Sequence, residues 1–313
     1  MTWFALASYQ SGDTHGTGMV LENRLFDLHE LIEAIGSEAP LATEWATAST
    51  DSLILQWPQT QPWLNQVADR ASTLLEGSGL GAAERTMDTL RQPFRPRQIF
   101  AAASNYIEHA NEMGTVLAAK ANSKPYMFIK SSSSCIGPGE NVVIPSQVTR
   151  PDWEVELGVV IGKRGRHVSP EDAMELVAGY TIINDVSARD HTRREDYPFK
   201  FDWFQGKSFD TFAPIGPWLV PANCIANPQA LKLGLDVNGK AMQDGSAAEM
   251  IWAIKEQISY LSSLLTLQAG DLIATGTPTG VGMGRGVFLQ PGDTMRAWVE
   301  KIGELVNPVV AEQ

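Results

Sequence analysis

Residues 153–161 read Trp-Glu-Val-Glu-Leu-Gly-Val-Val-Ile. Val155, Leu157, Val159 and Ile161 alternate with Glu154, Glu156 and Gly158, the period of a β-strand with one apolar face. Residues two apart on a strand share a face, with Cα atoms roughly 7 Å apart, so Glu154 and Glu156 stand side by side. Like charges repel, and burying them costs several kcal/mol unless something positive compensates. The strand therefore has two outlets: an edge with its polar side in water, or a buried strand with a cation over its acids. Ile182-Ile183-Asn184-Asp185 is a second apolar strand, ending in an acid 29 residues past Glu156. The intervening segment can return the chain so that Asp185 lies near the first pair. Three carboxylates and no cysteine describe a hard-cation site for Mg²⁺ or Mn²⁺, with positions open for water and substrate oxygens. Zinc would favour His or Cys. Taken alone, Asp185 also reads as a turn or cap residue.

Composition narrows the class. The 313 residues are 43% hydrophobic and 19% charged, which excludes disorder. A net charge of −12 argues against a nucleic-acid surface but leaves room for a locally positive pocket. Cys135 and Cys224 are far apart and in no CxxC pattern, so neither a disulfide framework nor a thiolate zinc site is expected. Met1 to Gly12 lacks a basic region followed by a long apolar stretch, and no apolar run approaches the roughly 18 residues of a membrane span. The expectation is a soluble, cytoplasmic protein without membrane or nucleic-acid partners.

Two textures divide the chain. In the first ~90 residues, Trp3 to Ser8 and Thr17 to Leu21 are β-leaning runs around a Ser11-Gly12-Asp13 turn. Leu28 to Ile35, Pro62 to Leu75 and Ala82 to Leu90 have helical composition. Arg91 to Arg97 carries two prolines and three arginines and reads as a linker. This predicts a small α+β domain over 1–92 and a larger one over 97–310. In the second part, Ile99 to Ala103, Pro125 to Lys130, Tyr180 to Ile183 and Asp271 to Ala274 read as strands. Asn105 to Ala121 reads as helical, and Ser169-Pro170-Glu171-Asp172 as the capped start of a helix reaching Val177. Leu231 to Val237 followed by Asn238-Gly239 is a hairpin signal. Ile251, Ile254, Ile258, Leu261 and Leu265 fall at helical spacing, and Met295 to Val299 reads as the last strand. Strands outnumber helices, so the larger part is a β-rich α+β domain.

Three further groups carry chemistry. His109 and Glu112 are neighbours if their segment is helical, and a carboxylate beside an imidazole raises its basicity and fixes its tautomer, as a general base needs. Taken alone, the pair reads more readily as a surface helix pair. Gln205-Gly206-Lys207-Ser208 resembles the end of a phosphate loop, but position 201 is Phe where that loop needs Gly. Lys207, among Phe201, Trp203, Phe204 and Phe209, remains able to hold an anionic substrate. Thr275 to Gly282 is a flexible-backbone loop after a strand, able to bring amides and the Thr277 hydroxyl to a ligand, or merely a turn.

Taken in order, these segments resemble the fumarylacetoacetate hydrolase family. The matching set is Asn105-Tyr106-x-x-His109-x-x-Glu112; Lys130 with Ser131 to Ser134 and Gly137; Asp152 to Leu157; Asn184 to Asp190; Gly206 to Asp210; and Gly276 to Gly282. It spans about 97 to 308. The resemblance implies a mixed β-roll fold, a homodimer, and Mg²⁺ or Mn²⁺ held by Glu154, Glu156 and Asp185. It implies a His109–Glu112 dyad on a segment that orders over the substrate, and Lys207 as stabiliser of an oxyanion or enolate. Tyr106, Lys130, Arg189 and Thr277 would lie near the substrate. The first ~90 residues are similar to the variable N-terminal domain of longer members. Two departures point away from fumarylacetoacetate itself: Ser104-Asn105-Tyr106 lacks an acidic metal ligand, and His191-Thr192 stands where many members have a Gln.

This implies a hydrolase that cleaves a C–C bond of a 2,4-dioxo acid, an acylpyruvate such as fumarylpyruvate or maleylpyruvate, to pyruvate and a carboxylic acid. The alternatives are oxaloacetate-type decarboxylation, or isomerisation or hydration of a 2-oxo-enoic diacid, with the same metal ligands. A further alternative, from another class, is a non-catalytic metal- or metabolite-binding domain.

Overall fold

The computed structural model describes residues 2–36, 43–75 and 80–313. Its architecture is mixed α/β and strand-rich. A long sheet runs in the order Glu84–Arg85, Arg24–Asp27, Thr14–Leu21, Ala5–Ser11, Ala213–Pro221, Val177–Asn184, Val155–Ile161, Leu272–Ala274, Ile99–Ala103 and Tyr126–Lys130. Most neighbours are antiparallel; Leu272–Ala274 and Ile99–Ala103 run parallel. A second sheet orders Lys240–Ser246, Lys232–Val237, Thr294–Val299, Gly303–Ala311 and Val142–Ile144.

Val155–Ile161 lies in the middle of the long sheet and is buried along its whole length. Its two faces serve different cores. Val155, Leu157, Val159 and Ile161 pack with Leu233, Leu235, Met295 and Ala297 of the second sheet. Val160, on the acid-bearing face, packs with Trp57, Leu64 and Val67 of helix Trp57–Leu74. The alternation thus reports two covered faces, and the acids sit where the helical layer leaves the strand's N-terminal end. The first ~90 residues share this framework: Leu6 pairs with Leu219, and Leu90–Arg91 pairs with Ser8 and Tyr9. Among the described residues, no helix is long and apolar enough to cross a membrane.

Several local expectations change. Only Ile107–Glu112 of the 105–121 stretch is α-helical, because the chain turns at Gly114, whose φ is +66°. The 82–90 stretch is not a helix: Glu84–Arg85 joins the sheet edge beside Leu25 and Phe26, and Met87–Thr89 is a single 3₁₀ turn. Ser169 caps as expected, accepting from the Asp172 amide at 3.2 Å. Only the 3₁₀ turn Ala173–Leu176 follows, since Val177 already belongs to a strand. Thr294–Val299 is not the last strand; Gly303–Ala311 returns against it. The Asn238-Gly239 hairpin forms, with both residues at positive φ.

Candidate active site

Sheet register brings the acids together. Val155 pairs with Asn184 and Glu156 with Ile183, so Glu154 stands opposite Asp185, whose amide donates to the Glu154 carbonyl at 2.9 Å. Directly opposed residues share a face. Glu154, Glu156 and Asp185 each offer an oxygen within 4.8 Å of the others, and all three are buried. The Asn184 side chain locks this strand end by accepting the Glu154 amide at 2.9 Å.

Three cations meet the cluster. Lys207 Nζ donates to Glu154 Oε2 at 2.6 Å and to Asp185 Oδ2 at 2.7 Å. Lys130 Nζ donates to Asp185 Oδ1 at 2.7 Å and to the Val186 carbonyl at 2.9 Å. Arg189 donates to Glu154 at 2.5 Å and to Asp152 at 2.8 Å. Burial opposes the Glu154 charge, but Arg189 and Lys207 outweigh it and hold this carboxyl well below the usual range. Glu156 behaves oppositely: burial and the Asp185 and Glu154 charges push it well above the ordinary value. Its hydrogen bond comes from the Gly276 amide at 2.7 Å, with no side-chain cation paired to it among the described residues. Burial lowers Lys130, whereas Asp185 and Glu154 raise Lys207 despite its burial.

The donor chemistry fits a divalent hard cation. Three converging carboxylates offer only oxygen, and Glu156 is a buried acid with no direct ion pair among the described residues. Glu154, Glu156 and Asp185 would hold such an ion.

His109 and Glu112 lie on the short helix Ile107–Glu112, with Nδ1 3.6 Å from Oε2. Both Glu112 oxygens accept from the Gly280 amide, at 3.0 and 3.1 Å. Burial opposes the Glu112 charge, yet His109 and the Gly280 amide hold its pKa below the usual value. Gly284 gives Glu112 room: a Cβ there would lie 2.2 Å from Glu112 Cγ.

His109, Glu154, Glu156, Asp185, Arg189, Lys207 and Thr277 line one cavity of about 470 Å³. Tyr106 and Lys130 do not line it. Tyr106 is 2% exposed and its hydroxyl has no hydrogen-bond partner among the described residues, while Lys130 stands behind Asp185. Glu112 is likewise absent from the lining and lies beside His109. Sequence reasoning missed two supports. Asp152 accepts from Arg189 and from the Gly282 and Met283 amides at 2.6 and 2.9 Å. Gln243 donates to Thr277 Oγ1 at 2.8 Å and accepts from the Val155 amide at 3.0 Å. Asp152 was detectable as an acid beginning the Trp-Glu-x-Glu strand; Gln243, on a distant strand, had no signal. A larger open groove of about 950 Å³, between Trp3, Trp218 and Trp298, lies apart from these acids.

Fold and site together define a strand-rich α/β enzyme with a buried carboxylate cluster in a cavity. The family model described as fumarylacetoacetate (FAA) hydrolase C-terminal matches residues 98–310, and the chain belongs to that family. Human mitochondrial oxaloacetate tautomerase FAHD2A is 41% identical over 218 residues, covering 69% of this chain and 67% of that protein. The fumarylacetoacetate hydrolase of Exiguobacterium antarcticum is 31% identical with a TM-score of 0.77, covering 99% of this chain and 100% of that one. Maleylpyruvate hydrolase from Sphingobium sp. SYK-6, solved with manganese(II) and pyruvate, is 27% identical with a TM-score of 0.71, covering 99% and 100%.

Proposed function

We propose that this chain is a divalent-metal-dependent enzyme for 2-oxo acids that hydrolyses the C3–C4 bond of an acylpyruvate. The observation that carries the reading is the shared cavity: His109, backed by Glu112, lines the same space as Glu154, Glu156, Asp185 and Lys207. Glu154, Glu156 and Asp185 would hold Mg²⁺ or Mn²⁺, which would supply Lewis-acid polarisation of a 2-oxo acid. His109, oriented by Glu112, takes a proton from water, whose oxygen adds to the C4 carbonyl. Lys207 has two N–H groups on carboxylates and a 3.5 Å contact to the Asp185 carbonyl, so this third N–H is the one available to the C4 oxyanion. Breaking C3–C4 gives a carboxylic acid and the enolate of pyruvate, and the proton that His109 took from water goes to C3 to complete pyruvate.

A second reading is oxaloacetate tautomerisation. It is supported by the 41% identity over 218 residues to the human tautomerase. Here His109 would take a proton from C3 while the C2 oxygen gains one, or the reverse, with no water added.

Chelated protein reloaded with Mg²⁺ or Mn²⁺ is assayed against acylpyruvates, with pyruvate release as the readout. Oxaloacetate is followed in parallel by its enol absorbance. Pyruvate release from an acylpyruvate, lost on chelation and restored by metal, supports hydrolysis. Faster loss of the oxaloacetate enol with no acylpyruvate turnover replaces it with the second reading. The homodimer belongs to this proposal, and light scattering tests it.

A further inference from the structure

Two residues before Glu154 stands another acid, Asp152, which is fully buried and does not line the cavity. Its carboxylate is filled to capacity. Oδ1 accepts from the Trp153 and Gly282 amides at 2.8 and 2.6 Å. Oδ2 accepts from the Met283 amide at 2.9 Å and from Arg189 Nε at 2.8 Å. A carboxylate offers about four lone-pair sites, so none is left for a substrate or a water.

The Gly282 and Met283 amides open the turn Gly282–Arg285, and the same segment supports Glu112. The Gly280 amide donates to both Glu112 oxygens, and a Cβ on Gly284 would lie 2.2 Å from Glu112 Cγ. The Gly280 carbonyl accepts from Trp153 Nε1 at 3.1 Å. Residues 280–284 therefore join Asp152 to Glu112, and Glu112 lies 3.6 Å from His109 Nδ1. Burying an acid is costly, and this one touches no reacting atom in the chemistry above. What it holds is the segment on which Glu112 rests. A base works only where its partner stays placed, and a shift of about 1 Å can cost about 100-fold.

We propose that Asp152 is a positioning residue: it fixes residues 280–284 so that Glu112 stays beside His109. This rests on the reading of His109 as the base, and it makes the geometry of that pair depend on an acid outside the cavity.

Asp152→Asn keeps the shape but has one acceptor oxygen, so two of the four contacts become donor against donor. Hydrogen exchange of the Mn²⁺-loaded protein, read by mass spectrometry, should be at least about fivefold faster at residues 107–113 as well as at 280–286. We expect kcat to fall at least about tenfold while KM changes less than about threefold. Because Asp152 acts through Glu112, adding Asp152→Asn to Glu112→Gln should lower kcat by no more than about a further threefold. Faster exchange confined to 280–286, or losses that multiply in the double variant, overturn the proposal. So does a loss of Mn²⁺ affinity with exchange at 107–113 unchanged, which puts Asp152 behind Arg189 and the acids instead. If Asp152→Asn does not fold, Gly282→Ala breaks the same joint from the other partner and is read by the same outcomes: its Cβ would lie 2.7 Å from Asp152 Oδ1 and 2.0 Å from the Val287 carbonyl oxygen. Turnover of neither an acylpyruvate nor oxaloacetate by the unmodified protein overturns the reaction, and exchange at 107–113 then decides the Asp152 joint alone.

Discussion

Asp185 sits directly across the strand pair from Glu154, its amide bonded to the Glu154 carbonyl at 2.9 Å. That register makes a cluster from residues 31 positions apart, and it commits Asp185 to two jobs. Its carboxylate completes the oxygen triad and also receives both Lys130 and Lys207.

Asp185→Asn keeps the shape and removes the charge. Mn²⁺ affinity should fall at least about 100-fold, since even changes behind a metal ligand cost 10–100-fold. Asp185→Ala should also destabilise the metal-free protein by about 3–5 kcal/mol, because Lys130 and Lys207 lose a buried counter-charge. Mn²⁺ titration followed by electron paramagnetic resonance and urea denaturation check the two parts. Unchanged Mn²⁺ affinity would remove Asp185 from the ligand set.

Glu112→Gln tests the dyad. The amide keeps the Gly280 contact through its oxygen but cannot stabilise an imidazolium. We expect kcat to fall about 100-fold with KM little changed, within the 10²–10⁴ range for general-base assistance. Gly284→Ala should reproduce part of this loss, because the added methyl would meet Glu112 Cγ at 2.2 Å and displace its carboxylate. Steady-state kinetics on both variants is the check; a rise in KM alone would make Glu112 a binding residue.

The acid pair was legible because alternation on a strand is a local property: Glu154 and Glu156 share a face whatever lies around them. What covers that face was not legible. The edge-strand and buried-strand outlets differ only in distant partners, helix Trp57–Leu74 and the second sheet. The helical composition of 105–121 misled because tertiary contacts hold only its first turns: Asn105 bonds to the Trp252 and Thr275 carbonyls at 3.0 and 2.8 Å, while Gly114 turns the chain away. Lys130 shows the same limit. The family resemblance marked it for the site, but only the fold puts it behind Asp185.

Gly276 links the loop to the least compensated acid. Its φ of +98° favours glycine, its amide reaches Glu156 at 2.7 Å, and a Cβ would lie 2.6 Å from Asn105 Cβ. Gly276→Ala should shift the loop, loosen Glu156 and weaken Mn²⁺ binding about 10–100-fold. Titration with Mn²⁺ reads this directly. Full affinity in a folded Gly276→Ala variant would show that Glu156 needs no amide to hold its position.

Trp57 tests whether the N-terminal helical layer and the central sheet unfold as one body. The indole begins helix Trp57–Leu74, is 7% exposed, and lies so close to Gly162 that a Cβ there would meet it at 2.7 Å. Gly162 directly follows strand Val155–Ile161, so the ring closes the core over the sheet at the end opposite the acids. Trp57→Ala removes a large buried ring from a core shared with Val160 and Leu272, and should cost about 3–5 kcal/mol. Because Leu6 also pairs with Leu219, we expect one cooperative transition, displaced to lower denaturant for far-ultraviolet circular dichroism and tryptophan fluorescence alike. Two separated transitions, with only the first moved by the substitution, would instead make residues 1–92 an independent unit resting on the sheet.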